Sequence, residues 1–395
     1  MARNIRDKDS NYSLKNDEVE EKKEKKEKNI DIKEEKKEKN INKANKKTKS
    51  NRIKTVIAIV VIAVVLVATV VTVYILKNKD VKAAIIPKKE VEVKDAVKDL
   101  EKNLDIFKTQ NRIVATMISN EKAAWPQAGL QEAYMIYECI IEGGETRFMA
   151  MFKDNMPAKV GPIRSARHYF VNYFEEQDGI YAHFGWSPKA EELIKADGIN
   201  NVNGIYDTYY FRQGAGYNNA YASMEKIKQF AADKKYSLTS VSKPLYKYSE
   251  VPYYLESQDT IYISEIKMKY SNMHSVSYKY DPDRKVFLRS MRNTPHKDKT
   301  TGEQIYAKNV VMLYVNHSDL NDYAGSARQE VDNIGSGTGF YATNGRYIPV
   351  TWSKTSKKAK TEIKDLAGND IILNDGLTFM QIVPKEYKID FTAEQ

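Results

Sequence analysis

The sequence predicts an α+β protein: a single N-terminal transmembrane helix followed by a two-part ectodomain, first a mixed α/β unit and then a mainly β barrel- or sandwich-like unit. Three observations carry this expectation. Thr55 to Leu76 is an unbroken apolar run of 22 residues, and about 20 such residues span a bilayer as a helix. Strand-like stretches then alternate with short amphipathic helices across 111–265. From 266 to 395 short strands recur with turn residues roughly every 8–12 positions, the pattern of all-β layers.

Residues 1–54 form a polar, charged tail, with 19 Lys and Arg against 12 Asp and Glu, so most of the chain's net charge of +10 sits there. That location removes the case for a nucleic-acid-binding face, because the basic excess belongs to a tail and not to a fold. Glu21 to Asn40 alternates Lys and Glu with almost nothing apolar to bury, which predicts disorder or a transient solvated helix. Lys43 to Lys54 carries only cations, each gaining roughly 1 kcal/mol beside anionic lipid headgroups.

The 55–76 run is longer than a signal-peptide core and no lipidation cysteine follows it, so it reads as a signal anchor. Cations on its N-terminal side place residues 1–54 in the cytoplasm and 77–395 outside the cytoplasmic membrane. The lone Cys139 excludes an intramolecular disulfide, so the ectodomain depends on its own core.

Residues 77–110 read as a linker and stalk helix. Val93, Val97, Leu100, Leu104 and Phe107 recur at steps of four and three, the seam of a helix that either acts as a spacer or pairs in a homodimer.

In the unit at 111–265, Arg112 to Ser119, Tyr134 to Ile141 and Thr146 to Phe152 read as strands. Gly143-Gly144 suits a two-residue hairpin loop, which puts Glu138, Ile140 and Glu142 on one face with Glu145, Arg147 and Met149. Two carboxylates near Arg147 suggest a glycosidase, but four residues of strand, roughly 13 Å, exceeds the spacing of such acid/base pairs. A structural ion pair is the expected role of Glu142.

Lys159 to Gly185 holds the densest chemistry. A Gly161-Pro162 turn is followed by Arg164, by Ser165 as helix cap, and by Arg167. Helix N-termini favour anions, and two arginines there could grip phosphate or carboxylate, or could pair with acidic neighbours. Phe170 and Phe174 face the core; Ile180 to Phe184 is a buried strand carrying His183, which as a lone strand-end histidine reads first as a structural residue.

VGPIRSAR, IYAHFGWSP and the earlier YECIIEGGETRFMAMF resemble the YerB-like family over about residues 111–385. These are bacterial extracytoplasmic proteins, often assigned as lipoproteins, with N- and C-terminal halves. The resemblance implies a two-part ectodomain and no established activity. Arg212-Gln213 stands where the family usually has arginine–aspartate, and Tyr217-Asn218-Asn219 where it usually has proline–histidine–asparagine. Asn218 can hydrogen-bond a ligand but cannot titrate near neutral pH, which weakens histidine catalysis. The usual lipid anchor is replaced by the apolar run.

In the unit at 266–395, Asp281-Pro282-Asp283-Arg284 turns a hairpin, Asn344-Gly345 turns another, and Val310 to Val315 is a buried strand. Gly335, Gly337 and Gly339 mimic a phosphate loop, but no Walker lysine follows. His296 and Asp298 suggest a loop-ordering hydrogen bond more than a metal site, since further ligands are lacking.

These readings converge on a membrane-anchored, non-catalytic binding or scaffolding protein of the bacterial envelope, with a polar or anionic ligand site at Arg164, Ser165, Arg167, His183, Arg147, Glu142, Arg212, Asn218 and His296. The expected partner is a cell-wall polymer or an envelope protein, with no cofactor, metal or nucleic acid. The alternative is a hydrolase or transferase acting on wall polymers.

Overall fold

The computed structural model describes residues 109–213, 216–241, 243–255, 260–322 and 326–393. The apolar run at 55–76, the Lys43–Lys54 cluster and the seam at 93–107 lie outside these residues. Among the described residues no helix is long and apolar enough to cross a membrane.

The N-terminal half contributes β1 (Ile113–Ser119), β2 (Met135–Ile140), β3 (Thr146–Phe152), β4 (Gly179–His183), β5 (Asn201–Asn203), β6 (Phe211–Arg212) and β7 (Ala220–Tyr221). Its three α-helices are short: α1 (His168–Phe174), α2 (Pro188–Ala196) and α3 (Met224–Asp233). Ser187 and Ser223 cap α2 and α3 by accepting from Ala190 N and Lys226 N, as serine does at a helix start.

The rest is strand: β8 (Lys247–Ser249), β9 (Ile261–Lys269), β10 (Ser275–Asp281), β11 (Val286–Met291), β12 (Thr294–Pro295), β13 (Tyr306–Ala307), β14 (Asn309–Val315) and β15 (His317–Asp319). There follow β16 (Gln329–Val331), β17 (Gly335–Thr343), β18 (Arg346–Lys354), β19 (Glu362–Asp365), β20 (Ile372–Asn374), β21 (Thr378–Pro384) and β22 (Asp390–Ala393). Two turns form as their sequences dictate. Asp281 Oδ1 accepts from the amides of Asp283 and Arg284, and Asn344 and Gly345 both take positive φ between β17 and β18.

The α+β expectation, of a mixed α/β unit followed by a mainly β barrel- or sandwich-like unit, is corrected here for the described residues. The described chain is mostly β, and 16 of its strands form one sheet, ordered along its main path β12-β11-β10-β9-β18-β17-β14-β21-β2-β3-β1-β4-β5. The junction is β21, which lies parallel to both β14 and β2, pairing Ile382 with Leu313 on one side and Cys139 on the other. β2, β3 and β21 are buried along their whole length, as strands covered on both faces must be. The strands of the second half therefore continue the sheet of the first, and its far end folds back over the junction, where Arg289 of β11 meets Glu138 of β2 and Tyr278 of β10 packs on Phe379 of β21.

The β2–β3 hairpin differs from expectation by one residue. Ile140 pairs with Thr146 and Cys139 with Arg147, so the loop is the three residues Glu142–Gly144. A one-residue slip turns every side chain to the other face. Arg147 is accordingly not on the face of Glu138, and the two belong to different clusters.

Candidate functional site: an arginine-lined cleft

The segment Val160–Ala166 is extended and held on three sides. Val160 exchanges backbone hydrogen bonds with Ala222 at 2.7 and 3.1 Å. Arg164 N donates to Met117 O at 2.9 Å, and Phe184 N donates to Arg164 O at 3.0 Å. Ala166 N pairs with Gly185 O at 2.9 Å and Ser187 N with Ala166 O at 3.1 Å, so the chain stays extended through Arg167 and α1 begins only at His168. Ser165 is therefore not the helix cap; its Oγ donates to Phe184 O at 3.0 Å. With seven residues in α1 and no side-chain cap, the helix-terminus argument for an anion does not apply.

What the segment does build is an arginine cluster. Arg167 forks onto Glu142, Nε to Oε1 at 2.6 Å and Nη2 to Oε2 at 2.9 Å. Arg147, only 2% exposed, donates from Nη1 to Ser165 O at 2.6 Å, and its Nε has no hydrogen-bond partner. Arg164 lies flat on the Tyr217 ring, 3.3 Å from its centroid, with Glu121 Oε1 at 3.7 Å from Nη2 and its own Nε unpartnered. Asn218 Nδ2 donates to Glu121 Oε2 at 3.3 Å. Burial, then the nearby Arg167, bring the Arg147 guanidinium down to about 9, while Arg167 is raised because the Glu142 hydrogen bonds outweigh its burial.

Above this cluster opens a cleft of about 520 Å³, lined by Arg164, Ser165, Trp186, Ile205, Tyr217 and Arg328 among others. Tyr206, 71% exposed, has its ring 6.0 Å from that of the lining residue Trp186. The cleft thus combines flat aromatic surface with guanidinium donors, the composition that recognises polar ligands with apolar faces.

The structure brings together Arg147, Glu142, Arg164, Ser165, Arg167 and Asn218. Arg212 is on the neighbouring β6, donating to Asn219 Oδ1 at 2.6 Å with its guanidinium 5.1 Å from both Phe184 and Tyr210. His183 lies beneath the cleft, fully buried, with Nδ1 donating to Gly185 O at 2.8 Å and Nε2 at 3.3 Å from Asn201 Oδ1. Sequence reasoning missed Glu121, Trp186, Ile205, Tyr206 and Arg328. Trp186 stands within the quoted IYAHFGWSP motif, whereas Glu121 and Arg328 reach the site only through tertiary contacts.

Burial lowers His183 to about 4, well under the ordinary value of 6.5. Its depressed value means that the unfolded chain binds a proton the folded protein refuses, so its contribution is complete above pH 6.5 and is lost as pH falls toward 4. The loss expected from this group is on the order of 3 kcal/mol. Denaturant titrations of wild type and His183→Gln at pH 7 and pH 4.5 should show a smaller acid loss in the variant; equal losses would refute this assignment.

His296 belongs to a second, separate cluster. Glu138 is buried and accepts from Arg289 Nη2 at 2.5 Å, Thr146 Oγ1 at 2.7 Å and Asn120 Nδ2 at 3.0 Å. Arg289 donates from Nη1 to His296 Nδ1 at 2.6 Å, and His296 Nε2 donates to Gln127 Oε1 at 2.8 Å, which fixes a neutral imidazole. Burial and then Arg289 hold His296 well below its usual range. Asp298 does not bond His296; it orders its loop by accepting from Leu130 N and Thr300 N. Among the described residues no three His, Cys, Asp or Glu side chains are grouped to hold a metal ion.

Comparison with known proteins agrees across sequence and structure. The profile "Protein of unknown function (DUF3048) N-terminal domain" matches residues 102–237, and the corresponding C-terminal domain profile matches 266–380. The chain is 30% identical over 308 residues to "Putative lipoprotein YerB" of Bacillus subtilis (strain 168), covering 74% of this chain and 89% of that protein. The crystal structure of YerB from Bacillus subtilis is similar with a TM-score of 0.63 at 28% identity, covering 71% of this chain and 94% of that one.

Proposed function

The chain belongs to the YerB-like DUF3048 family, and from that premise we propose that it is an extracytoplasmic envelope protein that binds a cell-wall polymer or envelope partner without transforming it. The observation that carries this reading is the cleft itself, in which Arg164 lies under an exposed Tyr217 beside Trp186 and Arg328. Aromatic faces offer contact to the apolar side of a sugar ring, and guanidinium groups fork onto its anionic substituents.

The description of the Bacillus relative as a lipoprotein supports a place outside the cytoplasmic membrane. Cys139, the chain's only cysteine, is buried in β2 and so is not the residue that would carry a lipid. The hydrolase alternative receives no support from the geometry. His183 and His296 are buried with their ring nitrogens engaged, and Glu142 is committed to Arg167.

The test is co-sedimentation of the full-length protein with purified cell walls, wild type beside Arg164→Ala. Saturable pelleting, weakened about tenfold or more by loss of a charge-assisted contact, is expected. Arg167 is left intact in this test, because its removal would strand Glu142. Pelleting that is absent, or indifferent to the substitution, would remove the cleft from the function.

A further inference from the structure

Nine of the ten residues that line the cleft lie between Arg164 and Tyr217; the tenth, Arg328, comes from the second half of the chain. The charged groups on the wall are Arg164, Arg328 and Glu191, and Glu191 is held by Lys195 at 2.6 Å. The second half therefore supplies one of the two lining cations.

Arg328 stands at the foot of a ribbon that has little to hold it in place by itself. β15 and β16 are three residues each and pair only with one another, outside the large sheet. A two-stranded ribbon of this length is marginal in water and depends on contacts beyond its own ladder. Toward the second half, His317 meets Glu386. Toward the first, Glu330 joins two helices at once: its Oε1 lies 2.9 Å from His168 Nε2 of α1, and its Oε2 accepts from Lys189 Nζ of α2. Asn333 adds a further tie, accepting from Asn172 Nδ2 at 2.9 Å and donating to Tyr169 O at 2.8 Å.

The ladder runs one step past β16, because Leu320 N donates to Arg328 O at 2.6 Å. Side chains two apart on extended chain share a face, so Arg328 projects the same way as Glu330. Asp322 Oδ2, 3.1 Å from Arg328 Nη1, then orients the guanidinium.

Resting on the recognition reading above, we propose that Arg328 contacts the ligand and that Glu330 is its positioning residue: by tying β16 to α1 and α2, Glu330 sets where Arg328 stands in the cleft wall. The binding site is then a joint product of both halves and not of the VGPIRSAR stretch alone. The side chains of Lys189 and Glu330 are 41% and 28% exposed, so their ion pair adds little to stability. Its value is geometric, since a charge-assisted hydrogen bond weakens steeply once its alignment is lost.

The experiment is co-sedimentation of the full-length protein with purified cell walls, for wild type, Arg328→Ala, Glu330→Ala and the double variant. Glu330→Gln, which keeps an acceptor for Lys189, serves as the conservative change, and amide hydrogen exchange in β15 and β16 is measured alongside. The expected result is pelleting about tenfold weaker for Arg328→Ala, about threefold or more weaker for Glu330→Ala, and less affected in Glu330→Gln. The double variant should be no weaker than Arg328→Ala alone, whereas a residue that merely stabilised the fold would weaken binding equally with or without Arg328. Exchange in β15 and β16 should rise in Glu330→Ala while β14 and β21 keep their protection. Losses that add in the double variant, undiminished pelleting by Glu330→Ala, or unchanged exchange in the ribbon would each overturn the proposal. Pelleting that depends on Arg164 but not on Arg328 would overturn this inference and leave wall recognition standing, whereas absence of pelleting by wild type would remove both.

Discussion

Replacing Arg289 by Met should destabilise the protein by about 3–5 kcal/mol at neutral pH, the cost of leaving one partner of a buried ion pair uncompensated. Glu138 on β2 and Arg289 on β11 are both fully buried, at 2.5 Å, and join two parts of the sheet that lie far apart along its strand order. Burial by itself would raise the Glu138 carboxyl; Arg289, with hydrogen bonds from His274 and Thr146, outweighs it and holds the group at about 2. In wild type this group's contribution is therefore complete above pH 4.5 and lost as pH falls toward 2. Without Arg289 the sign reverses, because burial then raises the carboxyl and stability is lost as pH climbs through its new value. The deficit of Arg289→Met should thus be largest at pH 7 and shrink below about pH 4.5. Urea titrations at pH 7 and pH 4 test this, with Glu138→Gln/Arg289→Met expected to recover part of the loss. A single variant within 1 kcal/mol of wild type at pH 7, on the scale of an ordinary surface change, would defeat the idea that this pair holds the two halves of the sheet together.

Gly339→Ala should cost about 3 kcal/mol, at the upper end of what overpacking produces. A Cβ at this position would lie 2.1 Å from the carbonyl oxygen of Met312 and 3.1 Å from its carbon, so backbone on β14 would have to move. At Gly337 the obstacle is the Trp352 ring, 2.6 Å from such a Cβ at its Nε1, a side chain that can shift. Gly337→Ala should therefore cost less than Gly339→Ala, and thermal denaturation of the two variants decides it. The reverse order would show that β17 and β14 can separate more easily than their pairing of Leu313 with Gly339 implies. The same contacts explain the glycine run that mimics a phosphate loop: its glycines let β17 lie against a neighbouring strand and under a tryptophan.

The reading of individual elements from sequence followed local chemistry and succeeded where that chemistry decides. The strand Thr146–Phe152, the Asp281 turn and the Asn344-Gly345 turn depend on neighbours a few residues apart. The hairpin at Gly143-Gly144 shows where the method fails. Two positive-φ glycines permit either a two- or a three-residue loop, and only burial of β2 and β3 against β21 and β1 selects the longer one. That single residue separated Arg147 from Glu138 and placed them in unrelated clusters.

By itself the sequence determined the family, the identity of many strands and turns, and the concentration of chemically capable side chains in the stretch from Lys159 to Gly185, because motif, periodicity and turn chemistry are local properties. Only the tertiary structure decided that a strand near residue 380 would lie between β14 and β2 and make one sheet of both halves. It alone decided that Arg167 would be spent on Glu142 while the Nε atoms of Arg147 and Arg164 stayed buried without a hydrogen-bond partner. Parallel pairing and buried charge balance join residues far apart in the chain, and their energies come from desolvation that no local pattern encodes.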